Sequence, residues 1–368
     1  MYKLEGVRFK TAVFAGKLAK KAVKFGNGMG RSFPGYLFLK IGSFPCLQKL
    51  AKKPGIGTIL ITGTNGKTTS TKLSGMLLEK DCKISCNYDS NTLNAITSGL
   101  LYDNIDIGVF EYGIRDVKNA IPETVSKLIK PVGIVYTTIS REHTFINGRK
   151  NPFKEYLRAK KLLSEPMKKG IVICNADDPY TTYIGKNKEK NEKNVHVTYY
   201  GLNMDSEDKY PVKNSFFCPI CGEKMVYSKR YMNHKGIYKC RCGFERPKPD
   251  VELVELSKNH DKCIVNIKGD IYNYSNKKNV KVDFKVKVPA CGVHNLYNLL
   301  CAVTTYVSFT PNPKKIEKTV LELCKNMNIS ILPPGRFEIF KINDKIIGMG
   351  QGDNGDALKA NVQFMKDH

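Results

Sequence analysis

The chain has 368 residues, 41% of them apolar and 10% aromatic, and a formal net charge of +26. This length accommodates two domains with cores of their own, and the apolar content excludes a chain disordered throughout. Lys and Arg are spread along the whole sequence without a recognition-helix or RNA-binding signature, so the positive field suits an enzyme of ATP and an anionic acceptor better than a nucleic-acid reader.

Residues 7–25 set Val7, Phe9, Val13, Phe14, Leu18, Ala22 and Phe25 among Arg8, Lys10, Lys17, Lys20, Lys21 and Lys24 at helical spacing. A basic amphipathic helix of this kind either covers a core, the reading we favour, or makes peripheral contact with an anionic membrane surface. No apolar run approaches the roughly 20 residues that span a bilayer. The N-terminus has neither an uninterrupted apolar stretch nor a cleavage site, so no signal peptide is read and a cytoplasmic location is expected. Eight cysteines scattered singly (Cys46, Cys82, Cys86, Cys174, Cys263, Cys291, Cys301 and Cys324) fit reduced core thiols in such a compartment.

Residues 57–69 read G-T-I-L-I-T-G-T-N-G-K-T-T. The apolar run Ile59-Leu60-Ile61 enters a glycine-rich turn, and Lys67, Thr68 and Thr69 open a segment with helical spacing at Leu73, Met76 and Leu77. That is the layout of a phosphate-binding loop, although the first glycine sits at Gly63 and not five residues before Gly66. In the loop Gly63, Thr64, Asn65, Gly66, Lys67, Thr68 and Thr69, backbone N–H groups point at the anion, Lys67 supplies a charge and the Thr68 hydroxyl can hold Mg²⁺.

Apolar strands then alternate with helical stretches: strands at Ile105–Phe110, Val132–Thr137 and Ile171–Cys174, helices at Asp116–Ile129 and Phe153–Met167. Alternation of this kind predicts an α/β fold with a mostly parallel sheet flanked by helices, whose ligands bind at the carboxyl ends of the strands. The charged stretch 186–194 reads as a loop. Val251–Leu256, Cys263–Tyr272 and Val280–Val288 alternate with period two and predict a small antiparallel β subdomain. Helical spacing returns at Asn295–Val307 and Lys314–Asn326.

Between these regions lie C-P-I-C-G at 218–222 and C-R-C-G at 240–243. Two cysteine hairpins separated by a hydrophilic stretch let Cys218, Cys221, Cys240 and Cys242 surround one Zn²⁺, although the second pair has a tighter C-x-C bite. Four thiolates close the coordination shell, so the metal would be structural; unmetallated core thiols are the other reading. His234 reads as a fold contact and not a ligand.

Several pieces, in this order, resemble the Mur ligase family of ATP-dependent amide-bond-forming enzymes. They are Thr62–Thr69, Phe110-Glu111, Arg141-Glu142-His143, Tyr156-Leu157-Arg158-Ala159-Lys160, Asn175-Ala176-Asp177-Asp178-Pro179, His294-Asn295-Leu296-Tyr297-Asn298 and Pro334-Gly335-Arg336-Phe337-Glu338. The cysteine ribbon and the N-terminal region, including Leu18-Ala19 and Ser32-Phe33-Pro34-Gly35, look like the MurT branch. Residues 350–358 look more like the archaeal pseudomurein peptide ligases.

The resemblance implies a basic helical segment at 1–55, a central ATP-binding domain at 56–330 with a zinc-ribbon insertion at 215–247, and the start of a C-terminal domain at 331–368. The family's third, Rossmann-like domain is expected to be largely absent, since the stretch from Arg336 to His368 is too short for it. The resemblance also places two Mg²⁺ ions, one on Thr68 and Glu111 and one on His143 and a carbamylated Lys160. Asn295 and Asn298 fall near the adenine, and Arg336 near the negative charge that develops in the reaction. In ligases that add an amino acid, a His and a carbamylated Lys hold the second metal, whereas the MurT segment reads R-D-Q; retention of His143 and Lys160 therefore favours a pseudomurein-type peptide ligase.

The implied reaction activates a peptide carboxylate of an anionic cell-wall precursor as an acyl phosphate and joins an amino acid to it. The alternative is a MurT-like subunit amidating a Glu carboxylate of a lipid-linked precursor with ammonia from a glutaminase partner. A non-catalytic nucleotide- or nucleic-acid-binding scaffold is the alternative of another class, and either a partner subunit or a separate C-terminal domain would complete the enzyme.

Overall fold

The computed structural model describes residues 2–25, 31–87, 90–141, 152–204, 216–231, 235–258, 262–289, 293–326 and 338–349 except 344, together with positions 358, 362 and 365. His143 and Arg336, both expected in the site, lie outside the described residues, as does His234.

In chain order the elements are α1 (Tyr2–Phe25), α2 (Phe33–Leu50), β1 (Gly57–Thr62), α3 (Lys67–Leu78), β2 (Ile84–Cys86), α4 (Leu93–Leu100), β3 (Ile107–Glu111), α5 (Val117–Ala120) and α6 (Pro122–Ile129). Next come β4 (Gly133–Tyr136), α7 (Pro152–Ser164), β5 (Gly170–Asn175), α8 (Pro179–Asn191) and β6 (Val195–Asn203). The remainder is β7 (Val226–Arg230), β8 (Gly236–Lys239), β9 (Val251–Lys258), β10 (Lys262–Asn273), β11 (Lys278–Pro289), α9 (Val293–Phe309), α10 (Ile316–Lys325), β12 (Glu338–Ile342) and β13 (Lys345–Met349).

One nine-stranded sheet runs in the order β11-β10-β9-β6-β5-β4-β1-β3-β2. Its strands are parallel from β2 to β9, so the sheet is mostly parallel, as the alternation of strands and helices required. The antiparallel region is present as β9, β10 and β11, and it continues the same sheet because β9 pairs in parallel with β6.

The central strands are apolar on both faces because each face is covered by helices. Ile59, Ile61, Val109 and Val135 point into one core with Leu73 and Leu77 of α3 and most of α9. Leu60, Phe110, Ile134 and Val172 point into the other core, with residues of α2, α4, α6 and α7. Sheet order places β1 between β3 and β4, with β2 and β3 on one side of it and β4, β5 and β6 on the other. The crevice at the carboxyl end of β1 is therefore a topological switch point, where such sheets bind ligands.

Three details differ from the sequence reading. The helix expected over Asp116–Ile129 is two short ones, because Ile121 adopts φ +42° and Pro122 starts the next helix with no N–H to give. The stretch expected as a charged loop at 186–194 is helical as far as Asn191. Asp178 caps α8 through the N–H groups of Tyr180 and Thr181, and Lys188 buries its stem while its Nζ reaches the carbonyls of Glu165 and Met167. Finally, α1 packs Ala12 into the α2 core as expected, yet leaves Val7, Phe14 and Leu18 exposed on its outer face. Among the described residues no helix is long and apolar enough to cross a membrane.

Candidate active site

The phosphate loop lies at the end of β1 and continues directly into α3. Gly66 sits at φ +83°, left-handed backbone that glycine adopts without a Cβ clash, and a Cβ there would come 2.4 Å from Asn298 Oδ1. A Cβ on Gly63 would meet Thr137 Oγ1 at 1.9 Å, so the end of β4 presses on the loop. Both glycines are fixed by close approach, which leaves the first N–H groups of α3 as an anion-binding end.

Other side chains clamp the loop. Thr64 donates its N–H to Thr138 O at 2.5 Å; its hydroxyl pairs with Tyr156 Oη at 2.9 Å and accepts the Ser140 N–H at 3.0 Å. Thr137 donates its hydroxyl to Asn65 O at 2.6 Å. Lys67 donates to Thr64 O at 2.9 Å.

Thr68 donates its hydroxyl to Glu111 Oε2 at 2.7 Å, and Asn91 donates to Glu111 Oε1 at 3.2 Å. Glu111 ends β3 and is buried. Asn87 holds its backbone on both sides, accepting the Glu111 N–H at 2.7 Å and donating to Glu111 O at 2.8 Å. Hydroxyl and carboxylate oxygens in contact are the donor set that a hard cation takes, so the residues present fit one Mg²⁺ at Thr68 and Glu111.

Lys160 lies on the buried face of α7, and its Nζ donates to Gly63 O at 3.0 Å and Ile114 O at 3.1 Å. Burial, and after it the charge of Lys67, pushes its pKa well below the usual lysine range. The amine is thus driven toward its neutral, nucleophilic form while supporting the loop from below. Its expected metal partner, His143, lies outside the described residues.

Of the adenine-side pair, Asn298 is buried against the loop and accepts the Ser70 hydroxyl at 3.3 Å, whereas Asn295 is half-buried at the start of α9. A cavity of about 390 Å³ opens beside the loop, lined among others by Lys67, Asn91, Arg115, Asp116 and Tyr156. Asn87, Asn91 and Arg115 were not foreseen, because isolated polar residues in loops carry no periodic signal.

In the cysteine insertion, Cys218 Sγ and Cys242 Sγ are 3.6 Å apart, Cys221 Sγ and Cys240 Sγ 3.5 Å, and all four lie within 4.8 Å of one another. Tetrahedral thiolates at the usual zinc–sulfur distance stand about 3.8 Å apart, close to these spacings, so the four could hold a zinc ion. Gly222 and Gly243, both left-handed, turn the two knuckles. Met225, Tyr238 and Phe244 form a small core around them, against Tyr183 of α8.

With this geometry in place, a model of the Mur ligase middle domain matches residues 61–218, which takes in the loop, Glu111, Lys160 and the first cysteine. Residues 61–218 are similar to the Mur ligase middle domain. Over 362 residues, 96% of this chain and 73% of the relative, it is 26% identical to the MurT subunit of the glutamine-hydrolyzing lipid II isoglutaminyl synthase of Staphylococcus aureus (strain COL). The Streptococcus pneumoniae (strain ATCC BAA-255 / R6) MurT subunit is 25% identical over 75% of this chain and 57% of its own length. Among solved structures, a pseudomurein peptide ligase type C from Methanothermus fervidus superposes with a TM-score of 0.66 at 27% identity, covering 89% of this chain and 61% of that one. MurF from Acinetobacter baumannii, at a TM-score of 0.60 and 14% identity, shares the fold. The chain thus spans 57 to 73% of the length of these MurT relatives and 61% of the pseudomurein ligase. Both branches named from the sequence are therefore among the proteins to which this chain is similar.

Proposed function

We propose that this Mur ligase-type chain activates a peptide carboxylate of an anionic cell-wall precursor with ATP and joins an amino acid to it, as a pseudomurein-type peptide ligase. The observation that carries the reading is the pairing of Thr68 with Glu111 next to Lys67 in the loop, with Lys67 and Arg115 both lining the cavity beside it.

The loop N–H groups and Lys67 would bind the ATP phosphates, and the cavity would take the acceptor, whose carboxylate matches Arg115. Mg²⁺ bound at Thr68 and Glu111 supplies neutralisation of phosphate charge. A carboxylate oxygen attacks the γ-phosphorus and ADP departs, which gives an acyl phosphate. The amine then attacks the acyl carbon, loses a proton and expels phosphate. Arg336, by the family resemblance, would stabilise the charge that develops in these steps. The low pKa of Lys160 favours the unprotonated amine that carbamylation needs, in line with a second ion held by Lys160 and His143. The four cysteines would hold a structural zinc.

A second reading, amidation of a Glu carboxylate with ammonia from a glutaminase partner, draws on sequence similarity to MurT subunits along 96% of this chain. Product analysis with amino acids, ammonia, or glutamine plus a glutaminase separates the two: product from ammonia and from none of the amino acids removes the ligase reading. If Lys67→Ala leaves cellular function intact while removal of the cysteine ribbon abolishes it, both readings fall to the non-catalytic scaffold.

A further inference from the structure

The cysteine ribbon reaches the phosphate loop by two separate routes. At the tip of its β7–β8 hairpin, Tyr231 and Lys235 are buried, and Tyr231 belongs not to the ribbon's own small core but to the core that holds α3 and α9. Lys235 Nζ forms an ion pair with Asp178 Oδ2 and donates to Ile139 O at 3.3 Å. Asp178 Oδ2 also accepts the Ile139 N–H at 2.7 Å, and the next N–H, that of Ser140, donates to the Thr64 hydroxyl of the loop.

The second route starts just past the last cysteine. Arg246 donates from Nε to Asp177 Oδ1 at 2.5 Å and from Nη2 to Leu202 O at 3.0 Å. The other Asp177 oxygen accepts the Tyr297 hydroxyl at 2.8 Å. Tyr297 precedes Asn298, whose side chain packs where a Gly66 Cβ would be and accepts from Ser70.

Asp177 and Asp178 are fully buried, and among the described residues the cations that pair with them, Lys235 and Arg246, come from the insertion. A buried carboxylate deprived of its cation must be neutralised or must move, and here Asp178 holds the Ile139 N–H beside the loop while Asp177 holds the Tyr297 hydroxyl next to Asn298. We infer that Lys235 and Arg246 are positioning residues for the nucleotide: the ribbon is a built part of the phosphate site and sets the loop through Asp178–Ile139–Thr64 and Asp177–Tyr297–Asn298. This rests on the reading of residues 63–69 as the nucleotide cradle.

The test titrates the full chain with a fluorescent ATP analogue and Mg²⁺, and measures metal content and amide hydrogen exchange. Lys235→Met and Arg246→Gln are each expected to weaken nucleotide binding roughly tenfold or more, with Arg246→Lys intermediate because it keeps the charge but not the second bond. Exchange should quicken in residues 62–70 and stay unchanged in the β10–β11 hairpin, while the metal is retained. Lys239→Ala, which breaks the exposed ribbon pair Lys239–Glu245, should stay within about twofold of wild type.

Lys235→Met and Arg246→Gln proteins that keep their metal, melt cooperatively and bind nucleotide like wild type overturn the inference. Should those variants fail to fold, Tyr297→Phe decides, since it cuts the second route from the nucleotide side without touching the ribbon: weaker binding supports the inference and unchanged binding overturns it. A wild-type chain that binds no nucleotide refutes the cradle itself, and the inference with it.

Discussion

Gly66→Ala puts the phosphate loop to a quantitative test. At φ +83° an alanine costs about 1–2 kcal/mol from the contact between its Cβ and the backbone. Its Cβ would also stand 2.4 Å from Asn298 Oδ1, closer than side-chain atoms approach, so Asn298 must retreat and lose the hydrogen bond it accepts from Ser70. That loss adds about 1 kcal/mol. Gly243→Ala is the matched control: φ is +87°, and a Cβ there meets nothing within 4 Å. Urea unfolding should therefore place Gly66→Ala about 1 kcal/mol below Gly243→Ala, with both below wild type. Titration with a fluorescent ATP analogue should show nucleotide binding weakened roughly tenfold in Gly66→Ala and unaltered in Gly243→Ala. Equal stabilities for the two variants, together with wild-type nucleotide binding by Gly66→Ala, would refute the view that Asn298 and the loop share one close-packed contact.

Three other outcomes follow from the site. Glu111→Gln keeps the shape but removes the charge that accepts from Thr68 and Asn91, so Mg²⁺-dependent nucleotide binding should fall by about 1.5–3 kcal/mol in a magnesium titration, while binding without the ion changes little. Lys160 has a depressed pKa in the folded state, so the unfolded chain binds the extra proton; its contribution to stability grows as pH rises toward the ordinary lysine value, and Lys160→Met should flatten the climb of melting temperature over that range. Metal analysis of the purified chain should find about one zinc per chain, and Cys218→Ser should release it and lower the melting temperature; less than about half an equivalent in wild type would count against the site.

Much of this molecule is written locally. The loop at 63–69 announces itself because a strand, a glycine turn and a helix beginning with Lys67 are contiguous in the chain. The two cysteine hairpins are likewise local, and their sulfurs meet as their spacing requires. Period-two alternation foretold β9, β10 and β11, since one strand's pattern suffices to mark it.

What the sequence left open were the relations set by packing. The antiparallel strands could have formed a layer of their own; the parallel pairing of β6 with β9 makes them the edge of the main sheet. Glu111 was expected at a strand end, but its fixation by Asn87 and Asn91 needs a loop folded back on β3, which leaves no periodic trace. Lys160, one lysine in a Lys-rich chain, becomes a buried amine with a depressed pKa only because α7 lies beneath the loop. Lys235 and Arg246 show the same limit, since an ion pair 57 or 69 residues apart in sequence is chosen by which buried carboxylates the fold leaves without a cation. Sequence by itself determined the chemistry that the loop and the cysteines can perform; tertiary structure decided which distant side chains hold them in place, because burial and desolvation exist only once the chain has packed.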